Sequence, residues 1–283
     1  MDRIDLIKFS KIIANRSTAL QFLCKRYKTR KTICCPSCSS RKYYTMARGN
    51  LRCRKCKTDY RPFPGTLFDA INIDFVRWFV LIKLFDLGIS ARLAARESDV
   101  SYPTALYAFD CLRYSILYDL AKTDKILKGE IEADEAYFGG KRKGNRGRGA
   151  KNKTIVFGIL ERKGKVSVDI VSNVSASTLL ANTVKKVKKG SIVYTDKWHG
   201  YDSLMFSGYK HMSVDHQKRF ANGKVYINGI EGFWSFAKER MAKYHGISAD
   251  KFLLYIKEME WRYNNRDADT FSLLIDYGLG VNN

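Results

Sequence analysis

Three acidic residues stand in contexts that can bring their side chains together. They are Asp134 in Ile131-Glu132-Ala133-Asp134-Glu135, Asp196 at the end of Val193-Tyr194-Thr195-Asp196, and Glu231 in Asn228-Gly229-Ile230-Glu231-Gly232. The first segment reads as a strand, the second as a strand end and the third as the start of a helix, and such elements can converge across a sheet edge. Carboxylates crowded there repel one another unless cations neutralise them. Mg²⁺ or Mn²⁺ suits such oxygen ligands. Two of these ions about 3.5–4 Å apart can activate a water or a 3′-hydroxyl and stabilise the leaving oxygen of an in-line displacement. On strand periodicity Glu132 shares a face with Asp134, as a fourth ligand or a supporting group, while Glu135 points the other way.

A second constellation is built from thiols. Cys35-Pro36-Ser37-Cys38 and Cys53-Arg54-Lys55-Cys56 form two Cys-x-x-Cys pairs separated by fourteen residues. Each pair sets two thiolates on one tight turn, and together they offer the four soft ligands that Zn²⁺ takes in a closed structural site. Cys34 is the alternative to Cys35, without the two-residue spacing. Cys24 and Cys111 fall on helical patterns and read as core fillers. Residues 42–44 and 50–52 read as strands of a zinc ribbon, which Arg41, Lys42, Arg48, Arg52, Arg54, Lys55 and Lys57 make basic. Such a ribbon can touch DNA or simply dock on the rest of the protein.

Three regions must position these groups. Residues 1–66 carry an apolar-periodic start (Ile4, Leu6, Ile7, Phe9, Ile12, Ile13) followed by the ribbon. Residues 67–128 have helical periodicity interrupted at Pro103, and residues 129–283 alternate strands and helices. In the middle region 75–87 reads as a helix, then 91–97, a turn at 98–100 and 101–113 read as a helix-turn-helix. Ser101 would cap its second helix, with Pro103 tolerated in the first turn. Tyr102, Thr104, Tyr107 and Arg113 are then candidate DNA-facing side chains; the plainer alternative is a helical hairpin that only packs. In the third region strands are expected at 130–138, 154–161, 166–171 and 191–195, with helices at 177–188, 227–244 and 249–263. That order gives an α/β fold with a mixed sheet flanked by helices.

The charge balance agrees with a polyanionic partner. Lys and Arg number 51 against 28 Asp and Glu, a formal net charge of +23, and each basic group that meets a phosphate releases condensed counterions. Residues 141–153 hold seven basic residues and no acid, among them Lys141, Arg142, Lys143, Arg146 and Arg148. A charge run is usually a solvated loop; beside the strand of Asp134 it reads as a grip on DNA, or as a nuclear localisation signal in a eukaryotic host. No apolar run is long enough for a bilayer, the start lacks a secretory pattern, and the paired cysteines suit a reducing compartment. No membrane association is expected. The chain reads as intracellular, nuclear in a eukaryote and in the cytoplasm or nucleoid of a prokaryote.

Taken together, several blocks resemble the Merlin-type transposases and their bacterial insertion-sequence relatives. These are Ile131-Glu132-Ala133-Asp134-Glu135 with Tyr137 and Gly139-Gly140-Lys141, Tyr194-Thr195-Asp196 with Tyr201, Asn228 to Ser235 with Lys238, and Arg262-Tyr263-Asn264-Asn265-Arg266. The resemblance spans nearly the whole chain, ribbon and helix-turn-helix included. It implies a ribonuclease H-like catalytic core and cut-and-paste transposition, with Asp134, Asp196 and Glu231 as the metal-binding acids. The 34 residues between Asp196 and Glu231 fit that pattern. Lys238, two helical turns beyond Glu231 on the same face, would contact substrate phosphate. Some relatives have Asn as third ligand, so Asn228 stands as rival or helper to Glu231. His199 and His216 read as ordinary solvated or hydrogen-bonded histidines. The partners implied are double-stranded DNA, as transposon terminal inverted repeats and target, and a second copy of the chain, because paired ends call for a dimer. The alternatives are a non-catalytic zinc-ribbon DNA-binding protein, a domesticated transposase among them, and a cellular nuclease or resolvase on the same fold.

Overall fold

The computed structural model describes residues 3–46, 49–123, 126–139, 153–196, 207–214, 226–244 and 246–281. The basic positions Lys141, Arg142, Lys143, Arg146 and Arg148, and also His199, Tyr201 and His216, lie outside the described residues. The chain divides into two compact units, Met1–Asp119 with Asn265–Asn283, and Leu120–Asn264.

The first unit begins with α1 (Leu6–Ile12) and α2 (Arg16–Tyr27), the latter started by a reciprocal capping box between Asn15 and Thr18. A three-stranded antiparallel sheet follows, β1 (Tyr43–Thr45), β2 (Leu51–Cys53) and β3 (Asp59–Tyr60). Then come α3 (Leu67–Ala70), α4 (Phe75–Asp86), α5 (Ala91–Glu97) and α6 (Tyr102–Lys122). Asp74 caps α4 by accepting from the Arg77 amide, and Trp78, Phe79, Leu81, Ile82 and Phe85 form its buried face. The α5–turn–α6 segment has the helix-turn-helix order expected from sequence: Ser90 caps α5, Asp99 turns with φ +51°, and the Ser101 hydroxyl accepts from the Thr104 amide.

One candidate DNA-facing residue is corrected. Arg113 is 1% exposed, paired with Asp110, and its guanidinium lies 5.4 Å from the centre of the Phe85 ring. It lies on the buried side of α6 with Ala105, Phe109, Leu112 and Ile116. Tyr102 and Tyr107 are exposed.

The closing helix α10 (Thr270–Leu279) belongs to this first unit, although the sequence pattern groups it with the third region. Phe271 packs against Phe9 and Phe79, and Arg26 holds Asp276 through two hydrogen bonds of 2.6 and 2.8 Å. Periodicity reveals that such a helix needs an apolar partner, not which one.

The second unit is built on β4 (Glu130–Phe138), β5 (Thr154–Glu161), β6 (Val166–Val171), β7 (Ile192–Asp196) and β8 (Lys210–Val214), in the order β6-β5-β4-β7-β8. The first three strands run antiparallel, and β7 and β8 run parallel to β4. This is the ribonuclease H-like arrangement. Side chains alternate across it. Ile131, Ala133, Phe157, Ile159 and Val193 join Leu179 of α7 (Ala176–Lys186) in one core. The opposite face receives α8 (Asn228–Met241), whose Ile230 and Trp234 lie against Gly158.

The edge strand β6 is closed by α9 (Ala249–Asn264). The Asn264 carboxamide accepts from the Val166 amide and donates to its carbonyl, both at 2.8 Å, and Glu260 accepts from the Val168 amide at 3.0 Å. Four helical residues rise about 6 Å, close to two strand residues. The helix therefore reaches alternate edge groups in step, and satisfies donors that would otherwise template another strand.

Candidate functional site

The register of β4 on β7 sets the geometry of the first two acids. Their parallel pairing matches Glu132 with Tyr194, so continuing the same offset sets Asp134 level with Asp196 on neighbouring strands and on one face. That is the face covered by α8, which carries Glu231 in its first turn. Burial, then the charge of Glu135, then the charges of Asp196 and Glu231 push the Asp134 carboxyl up to about 7. The three acids thus lie within electrostatic reach of one another. Asn228, Glu231 and Lys238 follow each other along the exposed side of α8, with the Lys238 ammonium 6.0 Å from the centre of the Phe138 ring.

The donor set fits a hard divalent cation: carboxylate oxygens, with repulsion that such a charge relieves. Glu132 is no free ligand in this arrangement. It is 1% exposed; its Oε1 accepts from Arg162 Nε at 2.9 Å and its Oε2 from the Ile230 amide at 2.9 Å. Both oxygens are engaged in holding α8 to β4. Gly229 makes room for this, since a β-carbon there would stand 2.8 Å from Glu132 Oε2.

Arg162, Gly158 and Trp234 are the residues that sequence reasoning did not single out. Arg162 follows β5 in a turn with Lys163 and Gly164, where a basic residue looks solvated. Instead its guanidinium lies 3.8 and 3.9 Å from the ring centres of Tyr194 and Tyr226. A signal was present: Glu130 and Glu132, one strand repeat apart on the face of Asp134, require a cation if that face is buried.

In the first unit, Cys35, Cys38, Cys53 and Cys56 have their sulfurs within 4.8 Å of one another, the one such metal-ligating group among the described residues. The two turns are copies. Cys35 and Cys53 donate to the Ser40 and Thr58 carbonyls, and accept from the Ser39 and Lys57 amides. Ser39 and Lys57, each one past the second cysteine, both have positive φ. Hydrogen bonding at Thr58, from side chain and backbone, pulls the Cys56 thiol down to about 6, toward the thiolate that metals bind. Cys34 is exposed and outside the cluster, to which Cys35 belongs. The cluster is compatible with a closed tetrahedral zinc site.

Comparison with known proteins adds an independent line. Residues 126–264 match the family model described as the ISXO2-like transposase domain. An uncharacterized transposase-like protein of Haemophilus influenzae is 46% identical over 105 residues, which make up 37% of this chain and 85% of that protein. Among solved structures, the Mos1 strand transfer complex covers 71% of this chain and 78% of its own, at TM-score 0.31 and 11% identity. The Mos1 mariner paired end complex with Mn covers 70% and 78%, at 0.29 and 12%. At such scores no residue is matched to another, and the architecture rests on the strand order itself.

Proposed function

The chain belongs to the ISXO2-like transposases, and from that premise we propose that it binds transposon ends, hydrolyses phosphodiester bonds and joins the freed 3′-hydroxyls to target DNA. Asp134, Asp196 and Glu231 are the acids that hold Mg²⁺ or Mn²⁺, with Asn228 as supporting group and Lys238 on substrate phosphate. When bound, two such cations supply activation of the attacking oxygen and stabilisation of the leaving one. A water oxygen attacks phosphorus and the 3′ oxygen departs; that 3′-hydroxyl then attacks a target phosphodiester and displaces a target 3′-hydroxyl.

What supports this reading is the parallel register of β4 on β7, paired through Glu132 and Tyr194, whose continuation by two residues leads to Asp134 and Asp196, together with the helix that carries Glu231 on the same face. Zinc in the four-thiol cluster is structural, because four protein ligands leave no open position. The basic run that follows β4 in sequence, with Lys141, Arg142, Lys143, Arg146 and Arg148, contacts DNA. Pairing of two ends makes a homodimer the working unit. No helix among the described residues is long and apolar enough to cross a membrane.

The test uses the purified chain with Mn²⁺ or Mg²⁺ and DNA bearing the element's inverted repeats. Cleavage at the repeat ends followed by joining to a target plasmid is expected, and both are lost in Asp134→Ala and Asp196→Ala. Activity that survives either substitution removes the carboxylate mechanism. Cutting without joining replaces the transposase reaction with that of a nuclease.

A further inference from the structure

Three segments bear the proposed acids, and one buried side chain touches two of them and the residue that leads into the third. Arg162, with a side chain 9% exposed, donates from Nε to Glu132 at 2.9 Å, two residues before Asp134. Its guanidinium lies flat against Tyr194, two residues before Asp196, at 3.8 Å from the ring centre. Its Nη2 donates to the Tyr226 carbonyl at 2.6 Å, and the Tyr226 ring covers its other side at 3.9 Å, just ahead of α8. Glu130 completes the surround: it accepts from Arg162 at 3.4 Å and from the Tyr194 hydroxyl at 2.8 Å.

The α8 N-terminus explains why this matters. Its N-cap position is Ile227, which cannot cap, and no side-chain cap hydrogen bond is made there. The Ile230 amide is one of the first-turn donors that lack an intrahelical acceptor. Glu132 supplies the missing acceptor from β4, and a carboxylate there also meets the positive end of the helix dipole. A carboxylate that is 1% exposed needs a partner charge, and Arg162 provides it. Glu231 is the residue after Ile230. The spacing of Glu231 from Asp134 therefore passes through Glu132, and that of Asp196 from both passes through the Tyr194–Arg162–Tyr226 stack.

We propose that Arg162 is a positioning residue that fixes the mutual spacing of Asp134, Asp196 and Glu231, so that its planar, stacked guanidinium sets how tightly the acid cluster takes divalent cations without itself touching metal or DNA. This rests on the acids being metal ligands. Lysine keeps the charge but not the plane or the fork, so Arg162→Lys isolates the geometric role. The pair Arg162→Met with Glu132→Gln removes both charges together and avoids stranding a buried carboxylate.

The experiment measures Mn²⁺ binding to the full chain by electron paramagnetic resonance, beside zinc content and the thermal unfolding midpoint. Arg162→Lys is expected to keep zinc and fold while Mn²⁺ binding weakens by about 10–100-fold, the range typical of residues that orient metal ligands. The double variant should weaken it at least as much; where that variant fails to fold, Arg162→Lys decides. Wild-type Mn²⁺ affinity in a folded Arg162→Lys overturns the proposal. Asp134→Ala separates the two ideas. If it loses Mn²⁺ and Arg162→Lys does not, positioning alone fails. If Asp134→Ala binds Mn²⁺ normally, the acid cluster itself is not the metal site.

Discussion

The indole of Trp234 closes over Gly158, the residue paired with Asp134 across β4 and β5. A β-carbon at Gly158 would stand 2.5 Å from Trp234 Cζ2 and 3.0 Å from Ile230 Cδ1, so even a methyl group must lift α8 from the sheet. Gly158→Ala is expected to cost about 1–3 kcal/mol by overpacking. Because α8 carries Glu231, DNA cleavage should fall further than the folded fraction does. Denaturant unfolding beside a cleavage assay checks this. Full cleavage by Gly158→Ala would mean that the close approach has no bearing on the acids.

The raised Asp134 carboxyl makes the metal-free protein pH-sensitive in a defined direction. A carboxyl at about 7 when folded, against an ordinary value of 3.8, binds more protons folded than unfolded between those limits. Stability from this group is complete below about pH 4 and is lost as pH rises toward 7. Asp134→Asn should therefore stabilise the metal-free chain at pH 8, by up to about 4 kcal/mol, while abolishing cleavage. In the wild type, Mn²⁺ affinity should drop as pH falls below 7, because the proton competes. Calorimetric unfolding with and without chelator tests both; an Asp134→Asn chain no more stable at pH 8 would contradict the burial and charge crowding.

Cys34 and Cys35 are adjacent in sequence, but only Cys35 lies in the four-thiol group. Cys34→Ser should leave one zinc per chain, whereas Cys35→Ser or Cys53→Ser should lose it and loosen the β1–β3 sheet, since structural zinc contributes directly to folding. Metal analysis with protease sensitivity of the first unit reads this out. Zinc retained after Cys35→Ser and Cys53→Ser together would end the ribbon assignment.

How much of this was legible depends on what each residue answers to. Asp134, Asp196 and the cysteine pairs announced themselves because local context set them: a strand, a strand end, a two-residue spacing. The strands of residues 154–161 and 166–171 were equally plain from alternation. β8 was not, since Lys210-His211-Met212-Ser213 has no apolar alternation and pairs only because β7 offers an edge. Arg113 and Arg162 look like surface cations in sequence and are buried by partners distant from them, Phe85 in one case and Tyr226 in the other. The sequence leaves Glu132 open between ligand and support, because only the fold brings the Ile230 amide onto one of its oxygens.

Asn264, within the Arg262–Arg266 block, pairs with the β6 edge. Asn264→Ala unpairs both backbone groups of Val166 at the β6 edge, and Asn264→Leu leaves them facing carbon. Each lost pairing in a part-buried setting should cost about 1–3 kcal/mol. Expected are a lower unfolding midpoint, faster amide exchange at Val166 and greater self-association through the opened edge. Cleavage per folded molecule should stay near the wild-type level. A selective loss of cleavage with unchanged stability would assign Asn264 to the chemistry instead.

Glu231 is the proposed third ligand, with Asn228 as its rival, and charge can separate them. Both occupy the exposed first turn of α8, one turn apart. Of these two residues, Glu231 alone adds to the burial and the Glu135 and Asp196 charges that raise the Asp134 carboxyl, and only a carboxylate offsets the charge of a second cation. Glu231→Gln should therefore weaken Mn²⁺ binding by tenfold or more, about the lower bound for a lost ligand-shell group. It should also move the pH midpoint of Mn²⁺ binding downward, since Asp134 would lose its proton more easily. Asn228→Ala should weaken binding less and leave that midpoint where it is. Titrations of Mn²⁺ from pH 6 to pH 8 distinguish the two. The reverse order of effects, with the midpoint unmoved in Glu231→Gln, would transfer the third ligand to Asn228.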